Sequence, residues 1–231
     1  MRDSNLLLLP GLMCDARLFQ PQIESLRCNS IVPDLGKHDN FEQMAQQVLR
    51  DAPSKFAVAG LSMGGILAFE IWRQAPERVT HMALIDTNPE PDTPSKRQTR
   101  LQQINIALQG GLRQLATESL KPVYLAECHR DDEQLLETIL DMALSLGPEV
   151  FERQSRALRD RVDSVSTLAT ISCPTAVICG SEDKLCPPDL HQLMAAKIPA
   201  ATLTIIPDCG HMASLEQAAA VTQQLRQLLA A

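Results

Sequence analysis

Phe56-Ala57-Val58-Ala59-Gly60-Leu61-Ser62-Met63-Gly64-Gly65 is the stretch whose reading decides the fold. A short apolar run leads straight into Gly-x-Ser-x-Gly, and a helix-compatible stretch over residues 66–74 follows. A serine between two glycines, on a strand-to-helix turn, is how a weak alcohol nucleophile is held exposed. The turn leaves no room for side chains beside the serine, and Gly60 and Gly64 supply that room. The N–H groups of the following helix would point at the place where an oxyanion forms.

A nucleophilic serine needs a base, and the base needs an orienting acid. Both follow in the order serine, acid, histidine. Ala176-Val177-Ile178-Cys179-Gly180 reads as a buried strand running into the acidic turn Ser181-Glu182-Asp183, with Pro187 beyond it. Ala201-Thr202-Leu203-Thr204-Ile205-Ile206 reads as another, ending at Cys209-Gly210-His211 before a C-terminal helix. Ser62, Asp183 and His211 thus follow three strand ends. In a parallel sheet those ends share the carboxyl edge, where active sites of open α/β folds lie.

Among the five histidines, only His211 follows a late strand and a tight turn. His81 lies in a strand pattern and His191 on a helix. His38 and His129 lack a partner at useful spacing. Three carboxylates compete to orient the base: Asp183, Glu182 and Asp86. Asp183 fits the turn, Glu182 is one residue off and would point away, and Asp86 ends the strand after the nucleophile helix. The pattern favours Asp183, with Asp86 expected to tie down the start of the next linker.

The 231 residues suit one α/β domain with an insertion, or at most two domains. A net charge of −7 speaks against nucleic acid or an anionic membrane as partner. Seven cysteines without Cys-x-x-Cys spacing read as reduced thiols in a cytoplasmic protein. Leu6-Leu7-Leu8-Leu9 after Arg2 is too short for a signal sequence, and Pro10-Gly11 ends it. No stretch is long enough to span a bilayer. There is no metal-ligand spacing, no Walker loop and no Gly-x-Gly-x-x-Gly, so neither metal nor cofactor is expected.

Strand patterns at residues 6–9, 31–34, 55–59 and 79–85 alternate with helical ones such as 40–51, which implies helices on both faces of a parallel sheet. After Asp86 comes the Pro-rich Asn88-Pro89-Glu90-Pro91-Asp92-Thr93-Pro94, then a stretch to about residue 163 that reads as helices only, broken at Gly110-Gly111 and Gly147-Pro148. Residues 1–88 and 164–231 form the expected core, and residues 89–163 the expected helical cap over the site.

These residues resemble the α/β-hydrolase superfamily over nearly the whole chain. The resemblance rests on Gly60-Leu61-Ser62-Met63-Gly64-Gly65, Gly180-Ser181-Glu182-Asp183 with Pro187, and Cys209-Gly210-His211. Leu8-Leu9-Pro10-Gly11-Leu12 sits where the family places its oxyanion loop, with Pro10-Gly11 in place of the usual His-Gly. The family's two leading strands are missing, because the chain starts almost directly at Leu6. The resemblance implies a mostly parallel, doubly wound sheet with a helical cap inserted after the family's sixth-strand position. It implies oxyanion donors at the backbone N–H of Leu12 and Met63, and a pocket lined by Met13, Met63, Leu185 and Met212. Cys14 and Cys209 would flank the site.

Within the superfamily the chain looks like the small bacterial hydrolases with a helical lid, which act on carboxylic esters, lactones, thioesters or activated C–C bonds. The expected function is a serine hydrolase acting on a small ester, thioester or lactone through an acyl-enzyme. A C–C hydrolase, lyase or synthase on the same triad is the second reading, and a non-catalytic ligand receptor the third. The run Arg153-Gln154-Ser155-Arg156-Ala157-Leu158-Arg159-Asp160-Arg161 reads first as a solvated helix face. Its sharper reading is a dock for an acidic carrier protein or an anionic substrate tail.

Overall fold

The computed structural model describes residues 5–231. Arg2 and the first residues of the expected core lie outside the described residues. Six strands form one sheet in the order β2-β1-β3-β4-β5-β6. They are β1 (Asn5–Leu9), β2 (Asn29–Ile31), β3 (Phe56–Leu61), β4 (Val79–Ile85), β5 (Thr175–Gly180) and β6 (Ala201–Ile206). The helices, in chain order, are α1 (Gln20–Ser25), α2 (Phe41–Asp51), α3 (Met63–Gln74), α4 (Pro94–Ile106), α5 (Leu112–Val123) and α6 (Glu133–Leu146). They continue as α7 (Pro148–Arg159), α8 (Val165–Leu168), α9 (Pro188–Lys197), α10 (Ala213–Glu216) and α11 (Ala218–Leu228). Every strand pairing is parallel, where the sequence left room for an antiparallel strand.

The inner strands β1, β3, β4 and β5 are largely apolar because both faces of the sheet are covered there. Side chains alternate between the faces, apart from an irregularity in register where β3 and β4 begin. Leu7, Leu9, Val58, Met82, Leu84 and Val177 pack toward α2, α3 and α9. Leu6, Leu8, Ala57, Ala59, Ala83, Ile85, Ala176 and Ile178 pack toward α1 and α11. Alanines fill the second set on β3 and β4, so the helices on that face can approach closely.

The strand order reverses between β1 and β3, since β1 leads outward to β2 while β3 leads the other way. That switch point opens a crevice at the carboxyl ends of β1 and β3. Its walls are the loop after β1, which holds Gly11 and Leu12, and the turn after β3, which holds Ser62. All of α4 to α8 lies between β4 and β5. This helix-only segment follows the fourth strand of the described sheet. It kinks at Gly110, where φ is 92°, and turns at Gly147, where φ is 83°.

Candidate active site

α3 begins at Met63, so Ser62 itself is the hinge between strand and helix. Its backbone sits at φ 54° and ψ −113°, a region that non-glycine residues adopt only when their surroundings hold them there. The holding contacts are specific. The Ser62 N–H donates to the Ile85 carbonyl at 2.9 Å, and the Ser62 carbonyl accepts from the Thr87 hydroxyl at 2.7 Å. A Cβ at Gly60 would collide with the Gly64–Gly65 peptide, and one at Gly64 with the Leu9 backbone. Both glycines are therefore required by close backbone approach, as the motif implied.

The structure brings the three sequence-predicted residues together. His211 Nε2 lies 2.9 Å from the Ser62 hydroxyl, and His211 Nδ1 lies 2.8 Å from Asp183 Oδ2. Asp183 is clamped on its other side, where Oδ1 accepts the N–H groups of Leu185 and Cys186, each at 2.9 Å. Both Asp183 and His211 are buried. The Leu12 and Met63 N–H groups donate to no protein group among the described residues. The Met13 N–H does have an acceptor, Gln154 Oε1 at 2.9 Å.

A cavity of about 520 Å³ opens onto Ser62 and His211. Gly11, Leu12, Met13, Leu185 and Met212 line it, so three of the four expected pocket residues reach it. Met63 does not: its side chain is buried in the core cluster that packs α2 and α3 on the sheet. Cys14 and Cys186 line it as well, whereas Cys209 is buried behind the site rather than beside it. Burial pushes the Cys14 thiol up to about 12 and the Cys186 thiol well above its ordinary value, so neither supplies a ready thiolate nucleophile. Cys186 also stands within 4.8 Å of ligand atoms of Asp183 and His211. Both nitrogens of His211 are already engaged, and the Cys186 thiol holds its proton, so this trio is a poor metal cage.

Asp86 departs from its expected role. It does not hold the linker toward the helical segment. It is fully buried, and its carboxylate accepts from Gly180 N–H at 2.9 Å and Ala213 N–H at 3.1 Å. It therefore ties the loop before Asp183 to the loop after His211. Burial, reinforced by the neighbouring Asp183 charge, holds the Asp86 carboxyl well above its usual range. Glu182 points away from His211 as expected and accepts the Glu127 N–H.

Three further residues brace the site and were not singled out from the sequence. Glu216 accepts the N–H groups of Gly210, Met212 and Ala126, which fixes the turn carrying His211. Gln154 fixes the loop carrying Leu12 by reaching down from α7. His191, buried on α9, accepts the Thr87 N–H at 3.0 Å and so holds the chain leaving β4. The Arg-rich run is largely engaged. Arg156 pairs with Glu152, Arg159 with Asp160, Arg161 with Asp92, and Arg153 donates to the Gly36 carbonyl.

Comparison with known proteins shows the family. The family model described as "Alpha/beta hydrolase family" matches residues 6–224. A thermophilic esterase from Thermogutta terrifontis is 31% identical and superposes with a TM-score of 0.91, covering 98% of this chain and 89% of that one. The enol-lactonase from Burkholderia xenovorans, 22% identical, superposes with a TM-score of 0.89 over 100% of this chain and 93% of that one. A pimeloyl-[acyl-carrier protein] methyl ester esterase from Pectobacterium carotovorum is 26% identical over 96% of this chain and 93% of its own length. With the matched span running from β1 into the last helix, past all three strand ends of the site, the chain belongs to the alpha/beta hydrolase family.

Proposed function

We propose that this α/β-hydrolase cleaves a small carboxylic ester, thioester or lactone through an acyl-enzyme on Ser62, with His211 as base and Asp183 as its orienting acid. The observation that carries the proposal is the unbroken hydrogen-bonded chain Ser62–His211–Asp183 opening onto a cavity. Ser62 Oγ attacks the substrate carbonyl while His211 Nε2 takes its proton. The oxyanion accepts the N–H groups of Leu12 and Met63, each such donor lowering the barrier by about 3–4 kcal/mol where measured. His211 then returns the proton to the departing alcohol, thiol or ring oxygen. Water attacks the acyl-enzyme, giving a proton to His211, which passes it to Ser62 Oγ as the acyl bond breaks and the free acid leaves. Asp183 keeps its charge throughout and steadies the imidazolium.

Residues 89–163 are proposed to act as a cap, because α4 to α7 contribute Lys96, Leu112, Ile139 and Leu158 to the cavity lining. The relatives named for esters and an enol-lactone are in keeping with this substrate range. A carrier-bound substrate, as the pimeloyl relative's name implies for that protein, finds less support here, because the arginines of α7 are engaged within the chain. Seven unpaired cysteines are in keeping with a reducing compartment. Among the described residues, no helix is long and apolar enough to cross a membrane.

A fluorophosphonate probe tests the reading. It is expected to label Ser62, and Ser62→Ala is expected to lose both labelling and p-nitrophenyl ester turnover, the latter by a factor of about 10⁶. Labelling at Cys14 or Cys186, or undiminished turnover in Ser62→Ala, would overturn it.

A further inference from the structure

The cavity has a polar wall that the hydrolytic chemistry does not use. Lys96, Thr99, Arg100 and Gln103 lie on α4 at spacings of three and four, so one face of that helix turns toward the cavity, and all four line it. Arg161 lines the same space from beyond the end of α7. Asp92, buried at the start of the segment, bridges the two arginines: Oδ2 accepts from Arg100 Nε at 2.5 Å and Oδ1 from Arg161 Nη1 at 2.6 Å. One carboxylate thus serves two guanidinium groups. Lys96 makes no ion pair among the described residues. Among the described residues of the α4 and α5 lining the one acid is Glu118, which is exposed and accepts from Gln114.

The donor count sharpens the point. Arg161 directs Nε to the Glu90 carbonyl and Nη1 to Asp92 and the Leu158 carbonyl, which leaves Nη2 without an acceptor among the described residues. Arg100 directs only Nε to Asp92, so both of its terminal nitrogens lack an acceptor among the described residues. None of these three nitrogens is sealed from the cavity as a buried unpaired atom. Arg161 is almost wholly buried, yet it shares its counter-charge, Asp92, with a second arginine, whose repulsion adds to desolvation in lowering its pKa. A planar guanidinium with free terminal N–H groups is a fork for a carboxylate. Leu112, Leu115, Ile139 and Phe151 give the same cavity an apolar share of its lining.

We propose that Arg100, Arg161 and Lys96 form an anion subsite, and that the substrate is an ester carrying a carboxylate a short apolar chain away from the scissile carbonyl. This rests on the reading of Ser62 as the nucleophile and extends it to substrate class. Asp92 acts as the orienting group that aims both guanidinium forks into the cavity.

Two matched pairs of esters test it. Mono-p-nitrophenyl glutarate against p-nitrophenyl pentanoate places the charge on the acyl side. 4-Carboxyphenyl butanoate against phenyl butanoate places it on the leaving side. The expected result is a preference in kcat/KM for the charged member of one pair, decreasing with added salt. Lys96→Gln with Arg100→Gln is expected to reduce that preference ratio by about ten- to a hundredfold, the range for losing charge-assisted hydrogen bonds. Arg100→Gln leaves the Asp92–Arg161 pair in place, which protects the fold. Glutarate binding to Ser62→Ala, followed by calorimetry and lost in the Lys96/Arg100 variant, is a second readout that needs no turnover. Turnover of neutral esters with no preference in either pair and no glutarate binding would overturn the subsite and leave the serine chemistry standing. Glutarate binding without any ester turnover would support the subsite and overturn the hydrolase reading.

Discussion

Asp183→Asn separates the assigned acid from its rival Asp86, and the structure sets the size of the effect. Asp183 Oδ1 accepts two backbone N–H groups, from Leu185 and Cys186, and Oδ2 faces His211 Nδ1. An asparagine amide has one acceptor end. If that end keeps the two N–H groups, the NH₂ faces His211 Nδ1 and donates to it. The ring proton then sits on Nε2, and His211 can no longer accept from Ser62. A triad histidine in that tautomer loses about 10⁴ in kcat, or about 5.4 kcal/mol at 1.36 kcal/mol per decade. If the amide flips instead, His211 keeps its tautomer, but the NH₂ opposes two N–H donors. Two unmet buried donors cost about 1–3 kcal/mol each, so the competent form falls to between roughly 1 in 30 and 1 in 10⁴. Either route predicts a fall of at least about thirtyfold. In Asp86→Asn the affected contacts are Gly180 N–H and Ala213 N–H, neither of them a triad atom, so its rate loss should be smaller. Initial rates with p-nitrophenyl butanoate, with folding checked by circular dichroism, make the measurement. A fall under tenfold in Asp183→Asn, or a larger fall in Asp86→Asn, would refute the assignment of the acid.

Gly64→Ala is expected to destroy the site even where the chain still folds, because the new Cβ would meet the Leu9 backbone at the point where β1 passes the turn; fluorophosphonate labelling reads this out, and normal labelling would contradict it. Gln154→Leu frees the Met13 N–H and loosens the loop carrying Leu12, so kcat should fall about tenfold with little change in KM; an effect on KM alone would place Gln154 in substrate binding instead. His191 links stability to pH. Burial lowers it from 6.5 to about 4 by disfavouring the charged ring, and its Nε2, in accepting the Thr87 N–H, is unprotonated in the fold. A depressed base of this kind leaves stability intact above pH 6.5 and removes it as pH falls toward 4, by about 3 kcal/mol in all. Urea unfolding of wild type and His191→Gln at pH 7 and 4.5 checks this; the difference between the two proteins should shrink or reverse at the lower pH, and a constant difference would exclude the linkage.

The sequence made the fold legible where local pattern and tertiary role coincide. β4 and β6 lie where the apolar runs predicted them, β4 because a central strand covered on both faces is mostly apolar, and β6, a partly exposed edge strand, because Leu203, Ile205 and Ile206 still stand out between its threonines. The turn at Ser62 was legible because its glycines answer a backbone clash that any such elbow must face. β2 was placed about two residues late, since its three residues are only partly buried and carry little pattern. α3 begins three residues before the expected start, because Met63, Gly64 and Gly65 look like turn residues and are recruited into the helix by the elbow.

What the sequence concealed is of one kind. Asp86, Glu216, Gln154 and Asp92 each sit far along the chain from part of what they hold, and each accepts N–H groups from segments that only the folded topology brings near. A buried acceptor leaves no periodicity, and a lone Asp or Gln in a polar stretch looks like any surface residue. The same blindness hid the part that Arg161 plays within the Arg-rich run. As a string it is a cationic face, but in the fold Arg156 and Arg159 are paired on the outside while Arg161 turns inward to Asp92. The charge that matters for substrate is therefore split between the end of α7 and the start of α4, about sixty residues apart in sequence. No window short enough to read as a motif contains both Arg100 and Arg161; the shared carboxylate of Asp92 is what makes them one site.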